Sequence, residues 1–268
     1  MLQGRVREAA ILKICVLASG SSGNATFVAT GKTRILVDAG LSFRELSSRL
    51  AGIGEDPARL DAVLISHEHS DHVSGLPVLE RKLGYRVPVY ATKLTAPTLS
   101  WDERAPCVDT FQAGCRFSIG DVDVDSFTIP HDAADPVAFA FHTQGLKTAL
   151  VTDLGYIPES VKYHLRGAQF VILESNHDLE MLKVGPYPWS VKQRVMGRKG
   201  HLSNDVVSDF IRDEMGTDTA TLVLGHISEN NNHPELVRLA AAQAIAARSL
   251  SVRLVIAEPR RQTEVFTL

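Results

Sequence analysis

Seven consecutive residues, SHEHSDH from Ser66 to His72, hold three histidines, one glutamate and one aspartate, directly after the apolar run AVLI at residues 62–65. That order places a chemically dense loop at the end of a buried strand, where a rigid scaffold commonly presents functional side chains. His67 and His69 alternate and can face one cation, while Asp71 and His72 open the next helix and can face a second. Imidazole nitrogen with carboxylate oxygen, without thiolate, is the donor set of borderline or hard divalent ions such as zinc, manganese or iron. A solvated loop that happens to be rich in histidine is the bland alternative. The His-x-His-x-Asp-His spacing right after a buried strand favours the metal site over it.

Two ions need more ligands than one loop can give, and other strand ends offer them. His131 follows SFTIP, Asp153 follows TALVT and His226 follows TLVLG, each after an apolar run and before a loop containing Gly, Ala or Ser. Asp38, closing RILVD, is a further polar strand end that can hold a ligand histidine by a hydrogen bond. A single strand-end Asp is commonly only a turn residue. The recurrence of the pattern is what carries weight.

Such placement needs a scaffold of strands. Short apolar or β-branched runs recur at residues 13–19, 24–30, 33–40, 61–66 and 87–92, and again at 121–131, 137–143, 148–155, 169–175, 220–228 and 252–258. Helical spacing predicts helices at 43–54, 72–84, 204–216 and 234–249, with Asn204 as an N-cap, Pro234 at a first helical position, and Gly84 and Gly216 as stops. DVDVDSFTI alternates like a half-exposed antiparallel strand, whereas VILES and TLVLG read as buried on both faces. Together these predict two sheets packed face to face with helices outside. No repeat or Pro/Ser-rich linker divides the chain, so one domain over residues 1–268 is expected.

With 268 residues, 44% of them hydrophobic, the chain can bury a full core. Its net charge of −3 excludes a protein that coats DNA along its whole surface, but not an enzyme that meets nucleic acid through a local basic patch. Cys15, Cys107 and Cys115 have no CxxC spacing, which fits a reducing cytoplasm better than a disulfide framework. Arg5 and Arg7 before AAILKICVLAS have the outline of a secretion signal, yet Lys13 interrupts the apolar part and SGSSGN continues it as a strand into a turn. No run of eighteen apolar residues calls for a membrane span. The segment 181–201 carries Lys183, Lys192, Arg194, Arg198 and Lys199 with Tyr187 and Trp189 and no acidic residue, a composition suited to a phosphate backbone with bases to stack on.

The order Asp38, HxHxDH, His131, Asp153, His226 resembles the metallo-β-lactamase superfamily over nearly the whole chain. That resemblance implies a four-layer αββα sandwich, an α+β fold of two mixed sheets flanked by helices. It also implies a site for two divalent ions, zinc or manganese with iron possible. One ion would take His67, His69 and His131, the other Asp71, His72 and His226, with Asp153 bridging and Asp38 behind a ligand. In the phosphodiester-cleaving branch, a strand-end glutamate orients a later histidine that assists the leaving group. Glu174 in LES and His201 in GHLS look like that pair.

Taken with SGSSGN, IPHDA, TDLG, LESNHD and HISENNN, the motif set resembles the YycJ/WalJ group of metal-dependent exonucleases. This implies 5′-to-3′ hydrolysis of DNA by a metal-bridging hydroxide that Asp71 orients. Ser203, Asn204, Asn230, Asn231, Asn232 and Arg194 are candidate contacts to the nucleic acid. The short intervals after His131 and Asp153 leave no room for the tRNA-gripping arm of ribonuclease Z or the inserted domain of β-CASP nucleases. A thioesterase or lactonase of the glyoxalase II type shares the same ligands, and a non-catalytic regulatory protein could keep the fold. The sequence leaves the oligomeric state open.

Overall fold

The computed structural model describes residues 12–102, 104 and 106–268. Residues 1–11, on which the secretion-signal reading turns, lie outside them. Two seven-stranded sheets form the centre. The first is built from β1 (Lys13–Ala18), β2 (Ala25–Ala29), β3 (Arg34–Val37), β4 (Ala62–Leu64), β5 (Val89–Thr92) and β6 (Val108–Phe111), with β14 (Phe266–Thr267) beside β1. The second runs from β7 (Arg116–Ile119) through β8 (Val122–Thr128), β9 (Val137–Thr143), β10 (Leu146–Val151), β11 (Phe170–Glu174) and β12 (Thr221–Gly225) to β13 (Arg253–Ile256).

Each sheet is antiparallel on one side and parallel on the other. β3 to β6 are mutually parallel, as are β10 to β13. The parallel strands β4, β11 and β12 are buried at every residue, which is why AVL, FVILE and TLVLG read as continuous apolar runs. In VDVDSFT of β8 the two aspartates are the less buried residues between buried valines, as its alternation predicts.

Three apolar layers hold the sandwich together. Ile14, Val28, Ile35, Leu64, Val124, Phe139, Phe141, Phe170 and Ile172 fill the space between the sheets. Outside the first sheet lie α1 (Phe43–Gly52), α2 (Ser70–Val73) and α3 (Leu76–Lys82), with Leu46, Leu50, Leu76 and Leu79 buried against it. Outside the second lie α4 (Glu159–Leu165), α5 (Leu179–Val184), α6 (Trp189–Val195), α7 (Asn204–Asp213) and α8 (Pro234–Ala247), of which α4, α7 and α8 contribute Val161, Leu165, Val207, Phe210, Ile211 and Ala241 to its core. Each buried Leu, Ile or Phe contributes roughly 1.5–3 kcal/mol, so the outer layers are held chiefly by these contacts. The layer order is the αββα sandwich expected from the sequence.

Local corrections have local causes. The helix expected at 72–84 is two, because Gly75 sits where a Cβ would lie 1.8 Å from the Leu41 carbonyl oxygen, and the chain turns there against the Leu41 loop. Ser203, not Asn204, caps α7, its hydroxyl accepting from the Val206 N–H at 3.3 Å. Strands β6, β7 and β14, which the pattern misses, are short edge strands with little buried face to write a period. Among the described residues, no helix is long and apolar enough to cross a membrane.

Glu80 on α3 is an anomaly within this core. It is 0% exposed, neither carboxyl oxygen has a hydrogen-bond partner, and burial pushes its carboxyl up to about 7 from the ordinary 4.5. The folded state therefore keeps a proton that the unfolded chain releases above the ordinary value, and the stability this gives is lost as pH rises through about 7. Glu80→Gln should unfold like the parent near pH 5 and be more stable by about 2–3 kcal/mol at pH 8 in urea titrations. An equal offset at both pH values would show that burial of the charge is not the cause.

Candidate metal centre

The carboxyl ends of β3, β4, β10, β11 and β12 converge on one edge of the sandwich, and every polar strand end singled out above lies one to three residues beyond its strand or, for Glu174, at its last residue. Asp38, Asp153 and His226 adopt φ values of 61°, 62° and 53°. Left-handed backbone at a non-glycine residue is unfavourable by about 1 kcal/mol or more and persists where surrounding bonds enforce it. Here they do: the Asp38 N–H donates to Leu64 O at 2.8 Å, and the His226 N–H donates to Ser19 Oγ at 2.7 Å.

Four overlapping groups of donor atoms result among the described residues, and two of them are the expected ligand sets. In the first, one ligand atom each of His67, His69 and His131 lie within 4.8 Å of one another. His131 Nδ1 faces the Gly200 carbonyl at 3.3 Å, so Nδ1 carries the proton and Nε2 is free, 3.3 Å from His69 Nδ1. In the second, Asp71, His72 and His226 meet within the same limit. His72 Nδ1 stands 2.8 Å from Asp38 Oδ2, which can only accept, and this fixes Nε2 toward the cleft. Ser66 also anchors Asp38, its N–H donating to Oδ1 at 2.8 Å. Asp153 stands between the groups, with Oδ2 3.2 Å from His72 Nε2 and Oδ1 3.5 Å from His226 Nε2 and 4.0 Å from His131 Nε2.

Glu174 ties a third histidine to this arrangement. Its Oε1 accepts from His201 Nδ1 at 2.8 Å and from His226 Nδ1 at 2.6 Å, and its Oε2 from the Leu154 and Leu202 N–H groups at 3.2 and 3.0 Å. Burial alone would raise its carboxyl, but the charge and hydrogen bonds of the two histidines hold it down to about 2. The His201 side chain keeps 21% exposure, against 2% for His226 and 0% for Glu174, so His201 is the member that opens on the cleft.

These residues fit divalent cations. His67 Nε2, Asp153 Oδ2 and His226 Nε2 are buried atoms without a hydrogen-bond partner, although carboxylate and imidazole atoms lie 3.2–3.7 Å from the latter two. Burial lowers the His67 imidazole well below its usual range, whereas on His72 the Asp38 and Asp153 carboxylates outweigh burial and raise it well above. Asp153 is held well below the carboxylate range, burial being overcome by His226 and His72. Buried orphan donors beside negative charge, all nitrogen and oxygen, suit zinc or manganese.

The expected substrate contacts separate into two kinds, buried and exposed. Asn204 and Asn231 are 5% and 1% exposed. Asn204 Oδ1 accepts from Ser175 Oγ at 2.8 Å and its amide bonds Asn232, while Asn231 turns to Ser228, so both, with Ser203 capping α7, serve the internal loop framework instead of facing the cleft. Buried amides are held there because several loop backbones need polar partners. Arg194 is exposed and paired with Asp132 at 2.6 Å, and Asn230 is exposed and donates to the Tyr187 hydroxyl at 3.2 Å.

Asn24 was not among the expected site residues, yet its Nδ2 lies 3.1 Å from Asp71 Oδ2 and 3.0 Å from His72 Nε2. Its N–H donates to Asp71 O at 2.7 Å and its Oδ1 accepts from Gly20 N at 2.8 Å. Gly40 permits this approach, since a Cβ there would lie 1.7 Å from Asp71 O. Only the SGSSGN turn hinted at it. Asn24→Ala should stay folded and bind a divalent ion about 10–100-fold more weakly in competition with a chelator. An unchanged affinity would remove Asn24 from the centre.

Residues 33–227 match the family described as the beta-lactamase superfamily domain. The chain is 37% identical over 249 residues to the exodeoxyribonuclease YycJ of Bacillus anthracis, covering 90% of this chain and 92% of that one. It is 38% identical over 245 residues to the exodeoxyribonuclease WalJ of Streptococcus pneumoniae, covering 90% of each. Among solved structures, the metallo-β-lactamase fold protein YhfI of Bacillus subtilis superposes with a TM-score of 0.73 at 18% identity, over 97% of this chain and all of that one. By fold, by extended sequence identity and by the family match, the chain belongs to the metallo-β-lactamase superfamily.

Proposed function

We propose that this chain is a metal-dependent nuclease that removes nucleotides from DNA ends in the 5′-to-3′ direction. The observation that carries the reading is the Glu174 carboxylate shared by His201 and His226. It sets an imidazole with one free nitrogen at the lip of the ligand cluster, which is the position from which a leaving oxygen can be protonated. The names of the YycJ and WalJ relatives support nuclease chemistry and a DNA substrate. The thioesterase reading has no comparable use for His201.

His67, His69 and His131 would hold one divalent ion, and Asp71, His72 and His226 a second, with Asp153 between them. Two such ions lower the pKa of a water and neutralise charge developing on phosphoryl oxygens. Asp71, tethered by the Asn24 amide, would help hold the second ion and aim such a water at phosphorus. His201 donates its proton from Nε2 to the departing oxygen while Glu174 holds Nδ1 and stabilises the imidazolium, whose pKa is raised because the Glu174 charge and hydrogen bond overcome burial. Asp38 performs the same orienting task for His72.

The test uses purified protein loaded with zinc or manganese and offered 5′-phosphorylated and 5′-hydroxyl DNA, single- and double-stranded, with RNA, a thioester and a lactone in parallel. His201→Ala should keep its metal content and lose at least about 100-fold in kcat on DNA. Full activity in that variant would sink the proton-transfer role. Asp71→Ala should be inactive and metal-poor by elemental analysis, and thioester turnover exceeding DNA turnover in the parent protein would overturn the nuclease reading.

A further inference from the structure

Beside the metal centre, α5, α6 and the turn to His201 form an exposed surface of unusual composition. Residues 181–201 carry five basic side chains and no acidic one, in a chain of net charge −3. The structure sorts those cations. Lys183 pairs with Glu180 at 2.6 Å, Lys192 is buried with its Nζ donating to Lys183 O at 2.7 Å, and Arg194 pairs with Asp132. Arg198 and Lys199 are exposed and have no acidic partner among the described residues, the Arg198 guanidinium lying 4.3 Å over the Tyr156 ring. Alongside them, large apolar groups face water: Val184 is 85% exposed, Trp189 62% and Val191 36%.

This surface is bonded to the catalytic edge. The His201 N–H donates to Val195 O at 2.9 Å, and the Gly200 carbonyl meets His131 Nδ1. Gly155, two residues after Asp153, packs so closely that a Cβ would lie 2.4 Å from the Arg198 carbonyl carbon. Arg198 and Lys199 stand three and two residues before His201 in the chain, and Trp189 opens α6.

Resting on the nuclease reading, we propose that this surface binds the unpaired part of the substrate, with Trp189 as a platform on which a base stacks and Arg198 and Lys199 as its phosphate contacts. An indole 62% exposed to water gains from covering by a base, and every base has a face to offer. Two cations with no acidic partner among the described residues lose no ion pair when they meet phosphate. The charge and the aromatic face together fit a single strand better than a duplex, whose bases are stacked inside.

Fluorescence anisotropy of labelled single-stranded oligonucleotides with phosphorothioate linkages, as DNA and as RNA, tests this on the metal-loaded protein, the modified linkages keeping turnover out of the binding signal. Trp189→Ala should weaken binding about tenfold or more, and Trp189→Phe should restore most of it. Arg198→Gln and Lys199→Gln should each lower the slope of log affinity against log salt by about 0.7. Binding of Trp189→Ala within twofold of the parent would overturn the platform. So would a parent dimer that Trp189→Ala converts to monomer with oligonucleotide affinity unchanged, which would assign the patch to a second copy. A parent that binds in a Trp189-dependent way but cleaves nothing would uphold this surface and overturn the nuclease reading instead.

Discussion

The centre depends on one buried carboxylate. Glu174 ends β11 in the middle of the second sheet and spends both oxygens on four donors, two imidazoles and two backbone N–H groups. A carboxylate at zero exposure is tolerable only when so fully satisfied. Because Oε1 accepts from two rings at once, the tautomer of a candidate ligand, His226, and that of the cleft histidine, His201, are set by one group. The Leu154 and Leu202 N–H groups bring in the loops that carry Asp153 and His201, so four segments distant in sequence share one reference point.

The first sheet has a counterpart in Asp38, which holds His72 Nδ1 and the Ser66 N–H. The two carboxylates come from opposite sheets and act on opposite sides of the cleft, each placing an imidazole by its far nitrogen. Asp38 also carries positive φ, as do Asp153 and His226. Three of the seven non-glycine residues with positive φ among the described residues thus stand at the metal centre, and the apolar layers behind the edge supply the rigidity that sustains them.

Much of this was legible in the sequence because buried parallel strands and metal-type loops both write strong local patterns. SHEHSDH, AVLI, VILES and TLVLG state their burial and their chemistry within a few residues. The αββα layering followed from them, and Glu174 with His201 from the motif resemblance. What stayed hidden has no local signature. Edge strands such as RFSI bury too little to alternate clearly, and α4, α5 and α6 are too short for a helical period. Asn24 is a polar residue in a Ser/Gly turn until the fold brings Asp71 against it from 47 positions away. The asparagines near residue 230 show the converse, since polar residues in a promising loop can be consumed by the loop itself.

Each group of candidate ligands draws on both sheets: His67 and His69 come from the first and His131 from the second, and Asp71 and His72 join His226 in the same way. A chain with only its first sheet formed holds two of the three residues of each group and lacks the third. Cation affinity would therefore belong to the docked pair of sheets, and a divalent ion held there would be a clasp across their seam whose binding energy is also docking energy. On a ribosome, the clasp could close only after the strand leading to His226 had emerged, which makes the acquisition of a hydrolytic centre one of the last steps in this protein's assembly.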